Sequence, residues 1–169
     1  MAATLELYLV RHAIAAERGP AFPDDRLRPL TPAGARRFRE AVAGLAAFDV
    51  VVDLVVSSPL ERAMATAVLL ADGLKPKPSV QALEALAPGG KPAAIIEAVS
   101  KLAKRHRRIA LVGHEPDLGE LAARLVGARG AIEFKKGAVC AIEVDGATPG
   151  GPGTLRWLLP PRALRALAP

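Results

Sequence analysis

The stretch Leu5-Glu-Leu-Tyr-Leu-Val-Arg-His12 begins as a largely apolar run and ends on two basic residues. Similar apolar runs follow at 50–56, where valine dominates, and at 109–112, which leads into Gly113-His114. Runs of this length are typical of buried strands, and helical patterns separate them. The alternation predicts an α/β layered fold whose first strand ends at Arg11-His12.

The remaining elements are predicted from apolar spacing and from helix-start and turn residues. Thr31-Pro32 and Ser58-Pro59 each combine an N-cap residue with a proline suited to the first helical position. Two late strands enclose a Gly/Pro-rich segment at 146–153, which predicts a hairpin loop. The predicted helices are 33–48, 58–74, 92–104 and 115–126, and the other strands are 80–83, 138–144 and 154–158.

Length and composition favour one globular domain spanning residues 1–169. The 169 residues are 51% hydrophobic, which is enough for a sizeable core. No window has the roughly 18 uninterrupted apolar residues of a membrane helix, and Glu6 and Arg11 interrupt the apolar region that a signal peptide would need. We therefore expect a cytoplasmic protein without a membrane partner. The lone Cys140 sits in an apolar run and is predicted to be a small buried residue.

The net charge of +6 is compatible with nucleic acid, acidic proteins or phosphorylated ligands as partners. The densest basic segment is 101–108, at the predicted end of a helix, where cations complement the helix dipole. Docking of an acidic partner is the alternative interpretation of that segment. Aromatic residues make up only 4% of the chain, too few for a base-stacking surface, so no nucleic-acid partner is expected.

Four basic side chains are predicted to converge at one edge of the sheet. Arg11, His12 and His114 directly follow strands, and Arg62 lies in the first turn of a helix that follows one. Ligands bind at this edge in open α/β sheets. A phosphoryl group in transit spreads charge over three oxygens, which planar guanidinium groups hold well. Arg11 and Arg62 would hold the phosphate, and the neutral His12 would attack phosphorus.

His114 would complete this phosphate pocket. It directly precedes a predicted helix start, so its ring and the free backbone amides there can donate hydrogen bonds to phosphoryl oxygens. This chemistry needs neither a metal nor a cofactor, and we expect none.

These motifs resemble the histidine phosphatase superfamily, which includes the cofactor-dependent phosphoglycerate mutases. The order Arg11-His12, Ser57-x-x-x-x-Arg62-Ala63-x-x-Thr66 and Gly113-His114 carries the resemblance. Its SixA-like protein-phosphohistidine phosphatase branch is suggested by Arg28-Pro-Leu-Thr-x-x-Gly34, Glu84-x-Leu-x-Pro88 and Gly113-His-Glu-Pro-x-Leu118. The resemblance implies a three-layer α/β/α, phosphoglycerate mutase-like fold with a mixed, mostly parallel sheet. It also implies that His12 is phosphorylated and that Arg11, Arg62 and His114 form the phosphate pocket. Ala13 departs from the glycine of many members.

Several assignments keep an alternative. Arg28 either lines the substrate pocket or forms an ion pair with Asp24 or Asp25. Arg62 either binds the phosphate or forms a structural salt bridge with Glu61 or Glu115. Two candidates for a general acid are open: Glu84, in the region where mutase-type members place their acid, and Glu115, beside His114. Either could instead be structural, Glu84 by ordering its loop and Glu115 by complementing a helix N-terminus.

The expected function is a metal-independent phosphohydrolase that forms a phosphohistidine at His12. An alkoxide leaving group benefits from a general acid, whereas a departing imidazole has a pKa near 6.5 and needs none. Phosphohistidine on a protein is therefore the first candidate substrate, with small phosphate esters as the alternative. A phosphate-binding or phosphoprotein-binding module without turnover is the alternative outside the enzymes.

Overall fold

The computed structural model describes residues 3–146 and 149–169. Within these residues the elements follow one another in an alternating order, as the sequence predicts. The strands are β1 (Thr4–Arg11), β2 (Leu54–Ser57), β3 (Ser79–Ala82), β4 (Arg108–Gly113), β5 (Val139–Asp145) and β6 (Thr154–Leu159). The helices are α1 (Pro32–Ala47), α2 (Glu61–Gly73), α3 (Pro92–Leu102), α4 (Asp117–Val126) and α5 (Pro161–Leu167).

All six strands form one sheet in the order β3-β2-β4-β1-β5-β6. Strands β1, β4, β2 and β3 run parallel, and β5 is antiparallel to both β1 and β6. Arg11 pairs with Gly113, and Ser57 pairs with Val112, so the carboxyl ends of β1, β4 and β2 lie at the same edge. The mixed, mostly parallel sheet is confirmed, and its edge brings the predicted site residues together.

Helices cover both faces of the sheet. Leu5, Leu7 and Leu9 of β1 pack with residues of α3 and α4, whereas Tyr8 and Val10 pack with α1, α2 and α5. Alternate residues of a strand point to opposite faces, and here both faces are apolar because both are covered. The three-layer α/β/α architecture is confirmed.

Three predicted boundaries need correction. Helix α4 begins at Asp117 rather than at 115, so His114 does not directly precede it. The second strand begins at Leu54 rather than at 50, and Val50 and Val52 are buried without being part of it. Helix α2 begins at Glu61, so Ser58 is not its N-cap; the Ser58 hydroxyl instead accepts a hydrogen bond from the Leu60 amide at 3.2 Å, before the helix starts.

Helix α5 is not predicted from the sequence. Its seven residues begin at the second of two consecutive prolines, and only Leu164 among them is buried. The helix packs closely on α1 at Gly44, where an added Cβ would lie 1.8 Å from the carbonyl oxygen of Leu164. Packing against α1, rather than intrinsic propensity, explains a helix this short.

The late strands β5 and β6 pair as the predicted hairpin, although residues 147 and 148 of its loop lie outside the described residues. Cys140 is buried in β5, as predicted. In the described part of the chain, no helix has the length and apolar character needed to cross a membrane.

Candidate active site

A cavity of about 380 Å³ lies at the sheet edge where β1 and β4 end. Five basic residues singled out from the sequence line it together: Arg11, His12, Arg28, Arg62 and His114. The other lining residues are Ala15, Ala16, Glu17, Arg18, Pro88, Glu115 and Lys136. We call this cavity the active-site pocket.

His12 is held as a neutral ring with its reactive nitrogen free. Its Nδ1 donates a hydrogen bond to the Ala13 carbonyl oxygen at 2.7 Å, and the ring is only 6% exposed. The proton is therefore on Nδ1, and the lone pair is on Nε2. Burial lowers the pKa of His12 to about 4, and the nearby charges of Arg62, Arg11 and Lys136 add to this, against the opposing effect of the Ala13 hydrogen bond.

Alanine at position 13 fits without backbone strain. Among the described non-glycine residues only Asp49 has a positive φ, of 58°. The Ala13 amide donates to Thr66 Oγ1 at 3.0 Å, and the Thr66 hydroxyl donates to the Arg62 carbonyl at 2.7 Å. The backbone after His12 is thereby connected to helix α2.

His114 faces His12, with ring centroids 5.2 Å apart. Its Nε2 lies 2.8 Å from Ser58 Oγ. Since that oxygen already accepts from the Leu60 amide, its hydroxyl proton is available for His114 Nε2. Burial lowers the pKa of His114 to about 3, with further lowering by His12 and Arg62. The ring is therefore neutral, and this pairing favours a proton on Nδ1.

The two arginines are anchored by backbone and carboxylate oxygens. Arg11 Nη1 donates to the Phe134 carbonyl at 2.7 Å. Arg62 is 2% exposed and donates to Asp25 twice, from Nη1 to the carbonyl oxygen at 2.8 Å and from Nη2 to Oδ2 at 2.9 Å. The salt bridge of Arg62 is thus with Asp25, rather than with Glu61 or Glu115.

Asp25 also anchors Arg28. Arg28 Nε donates to Asp25 Oδ1 at 3.0 Å, and Arg28 Nη1 donates to the Ala16 carbonyl at 2.6 Å. Arg28 therefore both lines the pocket and pairs with Asp25, so the two alternatives for this residue hold together. Although burial acts to raise it, the pKa of Asp25 is lowered because Arg28 and Arg62 donate hydrogen bonds to its carboxylate.

Three buried nitrogen atoms of this pocket lack a hydrogen-bond partner among the described residues: Arg11 Nε, Arg62 Nε and His114 Nδ1. Leaving a buried donor unsatisfied costs about 1–3 kcal/mol, so native proteins rarely do so without a reason. All three belong to residues that line one cavity. This arrangement is suited to binding an oxyanion.

The structure separates the two candidate acids. Glu84 does not line the active-site pocket; its side chain is 74% exposed and lies 3.6 Å from Arg26 Nη1. Glu115 lines the pocket, but its Oε1 accepts from the Gly119 amide at 2.8 Å and its Oε2 from the Phe134 amide at 3.4 Å. The position of Glu84 favours the loop-ordering alternative, and the contacts of Glu115 favour the helix-terminus alternative.

Several residues that the structure brings to this site had no predicted role in it. Asp25 appeared only as a partner of Arg28, Ser58 only as a helix cap, and Lys136 not at all. Thr66 belongs to the motif Ser57-x-x-x-x-Arg62-Ala63-x-x-Thr66, and this shared motif could have linked it to Arg62. Ser58 lies between Ser57 and Arg62 in the same motif, which could have linked it to the site in the same way.

The basic segment 101–108 lies away from the pocket. Arg108 begins β4, whereas His114 follows its end, so roughly 17 Å of strand separates them. Lys101 pairs with Glu97 and Arg108 with Asp53. The segment is at the opposite edge of the sheet from the pocket, and docking of an acidic partner by it stays a prediction.

An α/β sheet with this arginine and histidine arrangement at its carboxyl edge is suited to binding a phosphoryl group. The family model of the histidine phosphatase superfamily (branch 1) matches residues 7–87. An uncharacterized protein of Picosynechococcus sp. is 38% identical over 120 residues, covering 70% of this chain and 71% of that protein. The chain belongs to the histidine phosphatase superfamily.

Solved structures place the chain beside the SixA-like members of that superfamily. The protein histidine phosphatase SixA complexed with tungstate is 25% identical, with a TM-score of 0.84, covering 95% of this chain and 99% of that one. A protein assigned as a phosphohistidine phosphatase SixA, from Nakamurella multipartitia, is also 25% identical, with a TM-score of 0.75 and coverages of 94% and 96%.

Proposed function

We propose that this phosphatase removes phosphate from phosphohistidine on a protein, in two steps and without a metal ion. The observation that carries the proposal is the tautomer of His12. Its Nδ1 proton is engaged by the Ala13 carbonyl, so the Nε2 lone pair is available in a pocket lined by Arg11 and Arg62. A neutral imidazole flanked by cations is suited to attack phosphorus.

In the first step the His12 Nε2 to phosphorus bond forms as the bond from phosphorus to the substrate imidazole breaks, and that imidazole nitrogen takes a proton from a water molecule, which becomes hydroxide. In the second step water attacks phosphorus, the bond to His12 breaks and its electron pair returns to Nε2, and a proton of the attacking water neutralises the hydroxide as inorganic phosphate leaves. Arg11, Arg62 and the Nδ1–H of His114 hold the phosphoryl oxygens in both steps. Their three unpaired nitrogen atoms support this role.

The carboxylates of the pocket favour phosphohistidine over an alkyl ester. Glu115 accepts hydrogen bonds at both oxygens, Glu84 lies outside the pocket, and Glu17 lies on an exposed part of its wall. An alkoxide needs a proton from an acid, whereas imidazole with a pKa near 6.5 can take one from water. The structural similarity to SixA phosphohistidine phosphatases also supports this substrate class.

Rapid quench with a ³²P-labelled phosphohistidine protein tests the nucleophile. We expect the wild type to accumulate an acid-labile, alkali-stable phosphoenzyme and His12→Ala to form none. His106→Ala is the matched control, because His106 lies in the distant basic segment and should leave labelling unchanged. Equal turnover by His12→Ala would refute the mechanism, and no turnover of any donor by the wild type would favour a binding module.

The leaving group is tested by comparing donors. We expect the wild type to have a higher kcat/KM on the phosphohistidine protein than on a sugar phosphate. On the phosphohistidine protein, Glu84→Gln and Glu115→Gln should remain within about twofold of wild type, because neither carboxyl group donates a proton to the leaving imidazole. A loss of 100-fold or more in Glu84→Gln, the size of a general-acid contribution, would show instead that this carboxyl is the acid.

A further inference from the structure

A second cavity, of about 380 Å³, borders the active-site pocket. It is enclosed by the segment after β1, helix α1, the segment before β5 and helix α5. We call it the flanking cleft. Its apolar lining comprises Ala13, Ile14, Gly34, Phe38, Gly137, Pro160 and Pro161. Ile14 is 38% exposed, so this apolar surface is accessible.

Five cationic side chains complete the lining of the flanking cleft: Arg37, Lys135, Lys136, Arg162 and Arg165. Arg165 lies 3.9 Å from a carboxylate oxygen of Glu40. The other four form no ion pair within the described residues, in contrast to Arg18, Arg26, Arg28, Arg62 and Arg108. An acidic ligand with an apolar body complements both the charge and the floor of such a surface.

The flanking cleft is continuous with the active-site pocket. Lys136 lines both cavities, and Ala13 directly follows His12. Because His12 is only 6% exposed, a phosphorylated side chain must extend into the pocket while the protein that carries it rests around the mouth. A specific protein interface buries about 800 Å² on each partner, so the carrier must contact surface beyond the pocket itself.

We propose that the flanking cleft docks the phosphoprotein substrate, and that it receives an acidic surface segment with apolar residues at its centre. This inference rests on the proposed function and assigns the recognition surface for it. The apolar floor would take the apolar residues, while Arg37, Lys135 and Arg162 pair with carboxylates around them. Recognition then comes from this side of the pocket and not from the basic segment 101–108 at the opposite sheet edge.

The test compares charge reversal at two places. The variant Arg37→Glu/Arg162→Glu changes the cleft without touching the residues placed in the active-site pocket. Lys104→Glu/Arg105→Glu makes the same change in net charge on exposed residues of the distant segment, neither of which forms an ion pair in the described part of the chain. The donors are an acidic phosphotransfer protein, phosphorylated by phosphoramidate at one exposed histidine, and free phosphohistidine.

We expect the cleft variant to lose at least tenfold in kcat/KM on the phosphoprotein, mainly through KM, and to stay within twofold of wild type on free phosphohistidine. The distant variant should stay within twofold on both donors. The wild-type rate on the phosphoprotein should fall as salt rises, and the cleft variant should lose most of that dependence.

Other results overturn the proposal in distinguishable ways. An equal loss on both donors would mean that the substitutions distort the pocket, and equal losses in the two variants would reduce the effect to net charge. An unchanged cleft variant, with normal turnover of both donors by the wild type, overturns the docking surface alone. Failure of the wild type on both phosphohistidine donors, with turnover of a phosphate ester, overturns the proposed function and the docking surface with it.

Discussion

At the scale of single residues, the protonation states of two histidines define the pocket. His12 and His114 have pKa values lowered to about 4 and about 3, chiefly by burial. Both rings are therefore neutral near pH 7, one presenting a lone pair and the other suited to donate from Nδ1. The same neutrality has a consequence for stability, since the unfolded chain binds protons at these rings more readily than the folded one.

We predict that acid destabilises the fold through these rings. Between pH 6.5 and about 4 the unfolded state binds more protons, so the free energy of unfolding falls as pH falls and is nearly constant above pH 7. Each ring should account for about 2 kcal/mol between pH 7 and pH 5. Urea unfolding at the two pH values measures this.

His12→Asn should reduce that pH dependence by about half. An identical pH dependence in His12→Asn and wild type would contradict the depressed pKa of His12. The comparison uses the difference between two pH values within each variant, so a change in its overall stability does not affect the result.

Residue types and their positions at or just beyond strand ends were enough to predict Arg11, His12, Arg62 and His114 as pocket residues, whereas for Arg28 the sequence left a pocket position and an ion pair both open. The partners that orient them were harder to predict. Asp25 is 37 positions from Arg62, and Ser58 is 56 positions from His114, so nothing local in the sequence connects them. The sequence could not decide whether Glu84 and Glu115 are general acids or structural residues, because that role depends on which amides or guanidinium groups the fold brings near each carboxylate.

At the scale of elements, the contact between α1 and α5 depends on the absence of a side chain at one position. A Cβ at Gly44 would meet the Leu164 carbonyl oxygen at 1.8 Å, which no real contact tolerates. The main chain of α5 would have to move, and α5 supplies Arg162 and Arg165 to the flanking cleft.

We predict that Gly44→Ala destabilises the protein by about 2 kcal/mol or more, as overpacking does in other cores. Helix propensity alone would give the opposite sign, a gain of about 1 kcal/mol. Gly19→Ala is the control, because a Cβ there meets nothing within 4 Å. Chemical denaturation of both variants decides between the two effects, and a more stable Gly44→Ala would contradict the close packing of the two helices.

The sequence predicted the type of most elements, since their apolar periodicities are strong. It failed where tertiary contacts set the boundary. Ser58-Pro59 looks like a helix start, but the Ser58 hydroxyl bonds the Leu60 amide and His114, and α2 begins later. Helix α5 was missed because it has one buried residue and depends on α1 for its stability.

At the scale of the whole molecule, positive charge is divided between the two ends of the sheet. The carboxyl edge holds the active-site pocket and the flanking cleft, and the opposite edge holds the basic segment 101–108. Among the described residues, the buried nitrogen atoms without a partner belong to Arg11, Arg62 and His114, all at the first of these edges. Anion binding should therefore stabilise the fold through the pocket, rather than through general charge screening.

We predict that inorganic phosphate at 100 times its Kd stabilises the fold by about 2.7 kcal/mol. For a chain of this size that corresponds to a rise in Tm of about 5–10 °C. Sodium chloride at matched ionic strength should give little of this rise. His114→Ala should diminish it and Arg105→Ala should not. An equal rise in chloride would show that the stabilisation is not specific to the pocket.

The Thr66 hydroxyl has a consequence for the precision of the site. It accepts from the backbone directly after His12 and donates to the backbone carbonyl of Arg62. Because Arg62 lies in the first turn of α2, this one buried oxygen joins the backbone next to His12 to the helix turn that carries the Arg62 guanidinium.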